Sequence, residues 1–166
     1  AIEARELTRD YGAVRAVDHI SFAVQPGEVF GFLGPNGAGK TTTVRMLTTL
    51  LEPTSGTALL NGFDITRQGY EARRQFGVVP EDSNVYRELT GRRNLLFSGQ
   101  LYRVPKPERE RRAVELVTKF GIDHKLDALV DTYSRGMRRK LTICMALMHR
   151  PSILFLDEPT AGLDVR

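Results

Sequence analysis

The sequence is poor in cysteine and has no long apolar segment. Cys144 is the single cysteine among 166 residues, so no disulfide can form within the chain, and a reducing compartment is expected. No apolar run approaches the roughly 18 residues needed to cross a bilayer. Charged residues are spread through residues 1–20, which argues against a secretory signal peptide there. With 41% apolar residues, the composition is that of an ordinary globular domain.

Charge does not select one class of ligand. The formal net charge is +4, a mild excess that is compatible with phosphates, nucleic acid or the cytoplasmic face of a membrane. The sequence contains no internal repeat and no low-complexity segment. Function must therefore be inferred from local motifs.

The pattern at residues 20–33 predicts two strands joined by a tight turn. Residues 20–24 alternate in the period of a half-buried strand. Residues 25–28 have proline second and glycine third, as a type II turn prefers. Residues 29–33 are almost entirely apolar, so we predict that they form a strand buried on both faces and complete a hairpin.

A glycine-rich loop follows this predicted strand and precedes a predicted helix at about 39–51. Its spacing, Gly-x-x-x-x-Gly-Lys-Thr, is that of a phosphate-binding loop. Its glycines allow left-handed backbone angles and a close approach to phosphate. Lys40 supplies a charge for the β- and γ-phosphates, and Thr41 supplies a hydroxyl for Mg²⁺. The loop residues assigned to phosphate binding are Gly34, Pro35, Asn36, Gly37, Ala38, Gly39, Lys40, Thr41 and Thr42.

From residue 81 to about 130, charges are dense and the patterns are helical. We predict a helix at 90–102, and a second at 107–120 with Val114, Val117 and Phe120 facing inward. A third helix is predicted at 136–149, where apolar residues recur at helical spacing. We interpret about 81–140 as a helical insert between two strands of a nucleotide-binding core.

An apolar strand is also predicted at 153–156, directly before Asp157 and Glu158. Beside a phosphate-binding loop, Asp157 is placed to hold Mg²⁺. Glu158 lies just beyond the strand and is placed to take a proton from an attacking water.

The start of the 136–149 helix carries a third signal. Ser134 is a natural N-cap, and capping is its simplest interpretation. The same N-terminus is also an anion site. One nucleotide has no obvious use for a second phosphate-binding helix start, so this one is interpreted as serving the nucleotide of a second copy.

Together these motifs resemble an ABC-type ATPase, the nucleotide-binding domain of ABC transporters. The resemblance rests on residues 34–42, 133–137, 156–160 and 162–164. It implies that the loop residues bind ATP and that Tyr11 stacks on adenine. It also implies that Ser134 and Gly136 touch the γ-phosphate across a head-to-tail dimer, where Asp164 lies at the interface.

Three features depart from the family pattern. Arg135 stands before Gly136, where the family usually has a Gly-Gly pair. Glu81 follows the strand at 76–79, where a glutamine is usual, and it is assigned to Mg²⁺ or to water orientation. These two features resemble the branch of daunorubicin-resistance-type and lipid-exporting ATPases. The chain also ends at Arg166, before the family's switch histidine, so we expect a C-terminally incomplete domain that binds nucleotide weakly and hydrolyses it poorly.

The expected fold is α/β, with a P-loop NTPase core of mostly parallel sheet, an N-terminal antiparallel β subdomain and a helical signature subdomain. The expected activity is ATP hydrolysis with Mg²⁺, in which Lys40 and Glu158 are catalytic and Thr41, Glu81 and Asp157 are the metal ligands. The resemblance implies a membrane-spanning ABC transporter subunit and a second ATP-binding domain as partners. We expect the protein to lie at the cytoplasmic face of the membrane, as a peripheral subunit of an exporter. No nucleic acid partner is expected.

The alternative is an ABC ATPase that acts on nucleic acid or on the ribosome. Chromosome-associated members place long coiled coils between their two nucleotide motifs, but residues 52–152 sustain no heptad pattern. Ribosome-acting members carry two tandem domains, whereas one is seen here. A regulatory nucleotide binder without hydrolysis is disfavoured by Glu158. The ATPase response to membrane partner or to nucleic acid distinguishes these classes.

Overall fold

The computed structural model describes residues 1–156. The chain divides into two compact units, Ala1–Phe76 and Gly77–Arg166. The strands are β1 (Ile2–Tyr11), β2 (Val14–Val24), β3 (Ser55–Leu60), β4 (Phe63–Asp64), β5 (Phe76–Val79) and β6 (Ile153–Leu156). The α-helices are α1 (Lys40–Leu47), α2 (Gly69–Arg73), α3 (Gly91–Leu101), α4 (Lys106–Lys119) and α5 (Arg135–Ala146).

The first unit is built on a four-stranded sheet in the order β2-β1-β3-β4. Every neighbouring pair is antiparallel, and Ile2 pairs with Val24 on one side and with Leu60 on the other. Leu7 and Leu60 are fully buried, as are Met46 and Leu47 of α1. This sheet confirms the predicted antiparallel N-terminal part, and it gives α1 an apolar core to pack on.

The predicted strand at residues 29–33 is wrong. These residues join neither sheet in the described part of the chain, and Val29 and Leu33 are 98% and 95% exposed. Phe30 and Phe32 instead pack as an aromatic cluster with Phe22, with ring centroids 5.2 to 5.4 Å apart. An apolar run becomes a buried strand only where neighbouring strands satisfy its backbone and cover both faces. The hairpin of this region is β1–β2, which turns at residues 12–13.

The second unit buries its core among α3, α4 and α5. Leu95, Leu116 and Leu141 are 2% exposed or less, and they belong to one continuous cluster. Val114, predicted to face inward, is 45% exposed. Val117 is buried as predicted, and Ala113 and Leu116 complete the buried stripe of α4. Burial raises the pKa of Cys144 to about 12, so this thiol stays protonated at neutral pH.

Strands β5 and β6 form a separate two-stranded sheet. The strand predicted at 153–156 is confirmed as β6. Ile153 and Phe155 are buried while Leu154 and Leu156 are more than one-third exposed, so burial alternates along this apolar strand. A Cβ at Gly77 of β5 would overlap the carbonyl group of Ala146, which shows that the end of α5 packs directly on β5. No helix within residues 1–156 is long and apolar enough to cross a membrane.

Asn94 fixes the segment that leads into α3. Its side chain is fully buried, and its Oδ1 accepts from the backbone N–H of Tyr86 at 2.8 Å. Its Nδ2 donates to the carbonyl oxygens of Tyr86 at 2.9 Å and Thr90 at 3.0 Å. One buried amide therefore satisfies three backbone groups.

We expect Asn94→Ala to lower the free energy of unfolding by about 1–3 kcal/mol, because it removes three hydrogen bonds and leaves the buried N–H of Tyr86 without its Asn94 partner. Asn84→Ala is the matched control, since Asn84 is exposed in the same segment. Urea unfolding measures both variants. Equal losses for the two would contradict the role given to Asn94.

Candidate nucleotide-binding site

The phosphate-binding loop takes the backbone form that its glycines permit. Gly37 and Gly39 have φ angles of 84° and 81°, a region that other residues rarely adopt. The Ala38 N–H donates to the Pro35 carbonyl at 3.2 Å, which closes a turn between them. The glycine positions predicted from the spacing are thus required by the observed backbone.

Gly39 lies directly against β2. A Cβ at residue 39 would overlap the carbonyl oxygen of Ala16 and lie 3.1 Å from Val17 Cγ2. No other residue type fits this close approach without movement of the loop or the strand. The sheet thereby fixes where α1 begins.

The first turn of α1 presents free backbone donors. Gly39 is the N-cap and supplies no side-chain cap, and the first turn contains no acidic residue. The N–H groups of Lys40, Thr41 and Thr42 therefore remain available, together with the positive end of the helix dipole. The Thr43 side chain does not cap these N–H groups, since its Oγ1 donates to the Gly39 carbonyl oxygen at 2.9 Å. The arrangement suits an anion with several oxygens.

Lys40 brings a cation to the same loop. Its Nζ donates to the carbonyl oxygens of Gly34 at 2.6 Å and Pro35 at 2.7 Å. The ammonium is thus held by carbonyl groups of the loop itself. Thr41, the next residue of α1, is exposed. Backbone N–H groups, a helix N-terminus and a lysine together fit a triphosphate.

Tyr11 lies at the end of β1, in the same unit as the loop. It pairs with Val14 across the β1–β2 hairpin, three residues from Val17, which Gly39 approaches. The residue is 47% exposed, and the Arg9 guanidinium carbon lies 4.8 Å from the ring centroid. One face of Tyr11 is therefore covered, and an exposed ring surface remains for a base. Sequence reasoning missed Arg9, whose only signal was its place two residues before Tyr11.

Ser134 and Gly136 belong to the second unit. Ser134 is confirmed as the N-cap of α5, since its Oγ accepts from the Met137 N–H at 3.2 Å. Both residues are exposed, and a Cβ at Gly136 would meet only Ser134 Oγ, at 4.0 Å. The surface at this helix start is open to a partner, and the contact with a second copy's γ-phosphate stays a prediction.

Tyr133 anchors the chain just before Ser134. The side chain is 3% exposed, and its hydroxyl donates to the Lys125 carbonyl at 2.6 Å. Burial raises the pKa of Tyr133, which keeps the phenol protonated as that donor. A buried, hydrogen-bonded ring thus fixes the entry into α5.

Glu81 follows β5 and is exposed. The Arg139 guanidinium of α5 donates to the carbonyl oxygens of Pro80 and Glu81, the latter at 3.3 Å. The backbone beside Glu81 is therefore tied to the helix that begins after Ser134. Arg139 was also missed from the sequence, because its partners lie 58 and 59 residues earlier.

Within residues 1–156 no three His, Cys, Asp or Glu side chains gather as a metal cluster. Asp157, Glu158 and Asp164 lie outside the described residues, so their assignments stay predictions. Tyr11 and the 34–42 loop lie in the first unit, where Tyr11 and Gly39 each lie against β2, whereas Glu81, Ser134 and Gly136 lie in the second.

We expect Gly39→Ala to lower the free energy of unfolding by about 2–4 kcal/mol, because left-handed strain adds to the overlap with Ala16. Gly37→Ala is the matched control: its φ is similar, but nothing lies within 4 Å of the added Cβ, so only about 1 kcal/mol is expected. Denaturant unfolding compares them, and equal losses would show that the approach to β2 does not constrain the loop.

Known proteins resemble this chain in sequence and in structure. A family model described as ABC transporter matches residues 17–161. The daunorubicin/doxorubicin resistance ATP-binding protein DrrA of Streptomyces peucetius is 46% identical over the whole chain and half of its own length. The linearmycin resistance ATP-binding protein LnrL of Bacillus subtilis is 38% identical over 98% of the chain and 52% of its own length.

A solved structure described as the ATP binding subunit of an ABC transporter is 33% identical. The superposition covers 99% of this chain and 68% of the solved chain, with a TM-score of 0.87. The α/β fold of a P-loop NTPase is thereby confirmed. The chain spans about half the length of the curated relatives it matches. The ordered motifs, the family model and the shared fold agree, and the chain belongs to the ABC transporter ATP-binding family.

Proposed function

We propose that this chain binds ATP with Mg²⁺ and forms the ATP-hydrolysing part of an ABC exporter. One observation carries the proposal, the cradle formed by the open N-terminus of α1, the left-handed glycines and Lys40. Three uncapped backbone donors beside a lysine have little use in a purely structural turn. They match a polyphosphate in charge and in donor number.

Each part of the site has a role in this proposal. The 34–42 loop holds the phosphates, and the ammonium of Lys40 leaves its loop carbonyls for the β- and γ-phosphate oxygens. The adenine stacks on the open face of Tyr11, where an aromatic ring offers a large apolar surface at low entropic cost. Both features lie in one unit, built on the β1–β2 hairpin.

Thr41, Glu81 and Asp157 would hold Mg²⁺, because hydroxyl and carboxylate oxygens are the ligands it takes beside phosphates. The ion would neutralise charge on the phosphate oxygens. Glu158 would accept a proton from the attacking water, and Lys40 would stabilise negative charge on the γ-phosphate as the bond breaks.

A second ATP-binding domain completes the proposed site. The exposed α5 N-terminus, with its Ser134 cap and open Gly136, would contact the γ-phosphate bound by a second copy in a head-to-tail dimer. The absence of acidic side chains from the first turn of α5 supports an anionic contact there.

The transport role is proposed from the relatives. Their names refer to resistance to daunorubicin, doxorubicin and linearmycin, and another refers to Nod factor export. We infer an exporter whose membrane-spanning subunit docks on a helical subdomain at about 81–140 of a domain that covers 1–166. The chain would then lie at the cytoplasmic face of the membrane, without a nucleic acid partner.

We expect Lys40→Ala to weaken ATP binding by about tenfold or more, since one charge-assisted contact is worth about 1.5–3 kcal/mol. Isothermal titration calorimetry measures the affinity. Arg45→Ala is the control, because Arg45 is an exposed cation on the last turn of the same helix.

The control is expected to bind ATP as the parent does. Equal ATP affinities for the parent and Lys40→Ala would contradict the proposed phosphate site, and equal losses in both variants would assign the effect to general surface charge.

A further inference from the structure

Arg9 has a geometry that its place on β1 does not require. Its guanidinium carbon lies 4.8 Å from the centroid of the Tyr11 ring, although an arginine on a half-exposed strand can extend into water. Its Nη1 donates to the Glu52 carbonyl at 2.9 Å. The guanidinium is thus held from two sides, by a ring and by a backbone oxygen.

This placement leaves one donor of Arg9 unsatisfied. The Nε atom is buried, and it has no hydrogen-bond partner among the described residues. A buried donor without a partner is costly, so an arginine with only a surface role would be expected to turn toward solvent. Its position over Tyr11 therefore points to a use for that position.

The backbone that holds Arg9 is itself fixed. The Thr54 N–H donates to the Thr8 carbonyl at 2.8 Å, and the Asp10 N–H donates to Thr54 Oγ1 at 2.9 Å. These bonds join the segment after α1 to the end of β1 on either side of Arg9. The Glu52 carbonyl is therefore a stable anchor, and the guanidinium has a defined place above the ring.

We propose that Arg9 is a positioning residue for base recognition: it holds one face of Tyr11 so that the other face is presented to the purine base. This inference rests on the proposed function, in which Tyr11 receives the adenine. A cation over an aromatic ring is attracted to the ring quadrupole, which restrains the Tyr11 side chain before a base arrives. Preorganisation of this kind raises affinity by reducing the ordering that binding requires.

The proposal makes the effect of Arg9 dependent on the base. ATP contacts both the loop and Tyr11, whereas inorganic tripolyphosphate contacts the loop alone. Arg9 acts through Tyr11, so its removal affects the first ligand and not the second. A structural role in the hairpin would weaken both, because Gly39 rests on the same hairpin.

The test is a mutant cycle, measured with ATP and with inorganic tripolyphosphate by calorimetry. We expect Arg9→Ala to weaken ATP binding by about three- to tenfold and to leave tripolyphosphate binding unchanged. Arg9→Lys keeps the charge and loses the planar group, so an intermediate loss is expected. Arg5→Ala is the control, since Arg5 is an exposed arginine on the same strand whose ion pair within residues 1–156 is with Glu3 alone, and no change is expected.

The same Arg9→Ala change is made in Tyr11→Phe and Tyr11→Ala backgrounds. The loss should persist with Phe, which keeps the ring, and disappear with Ala. Equal weakening of both ligands, or an unchanged loss without the ring, would overturn the proposal. If the parent binds tripolyphosphate and Tyr11→Ala binds ATP as tightly as the parent does, the role of Arg9 in base recognition is overturned and the proposed phosphate site is kept. A parent that binds neither ligand would overturn the proposed function and this inference with it.

Discussion

The phosphate loop depends on the contact between Gly39 and β2. Because residue 39 has no Cβ, the loop lies directly on the backbone at Ala16, and α1 begins at that point. The start of the helix decides where its free N–H groups are, and these groups are the feature to which we assign the phosphates. A rigid antiparallel sheet thus positions a loop that has little packing of its own.

The same hairpin also carries Tyr11, so one element supports the proposed sites for phosphate and for base. Tyr11 pairs with Val14 of β2, and Gly39 lies against Ala16 and Val17 of the same strand. In the second unit, Tyr133 and Ser134 give α5 an equally defined start, and Arg139 ties that helix to the backbone at Glu81. The N-terminus of α1 in the first unit and that of α5 in the second are therefore each held in place by contacts within their own unit.

Local signals predicted the parts of this fold that depend on local rules. The cap at Ser134, the glycines at 37 and 39, and the buried face of α5 follow from capping, φ preference and helical period, and the structure confirms them. Four ordered motifs were enough to indicate the family, because each requires particular residue types at fixed spacing.

Features that depend on distant partners could not be predicted in the same way. Residues 29–33 read as a buried strand because an apolar run does not reveal whether neighbouring strands cover it, and the structure leaves Val29 and Leu33 exposed. Val114 was assigned to the wrong edge of α4 for a similar reason, since periodicity fixes a face only to within one residue. Arg9 and Arg139 owe their roles to carbonyl groups 43 and about 58 residues away.

We propose above that the backbone donors at the start of α1 bind the phosphates of ATP. Amide NMR spectra of the ¹⁵N-labelled chain, recorded with and without Mg²⁺ and ATP, test it most directly. Phosphate binding at these donors should give chemical-shift changes and slower hydrogen exchange at residues 39–42, with little change at the first turn of α3. Spectra in which ATP leaves the amides of residues 39–42 unchanged would contradict it.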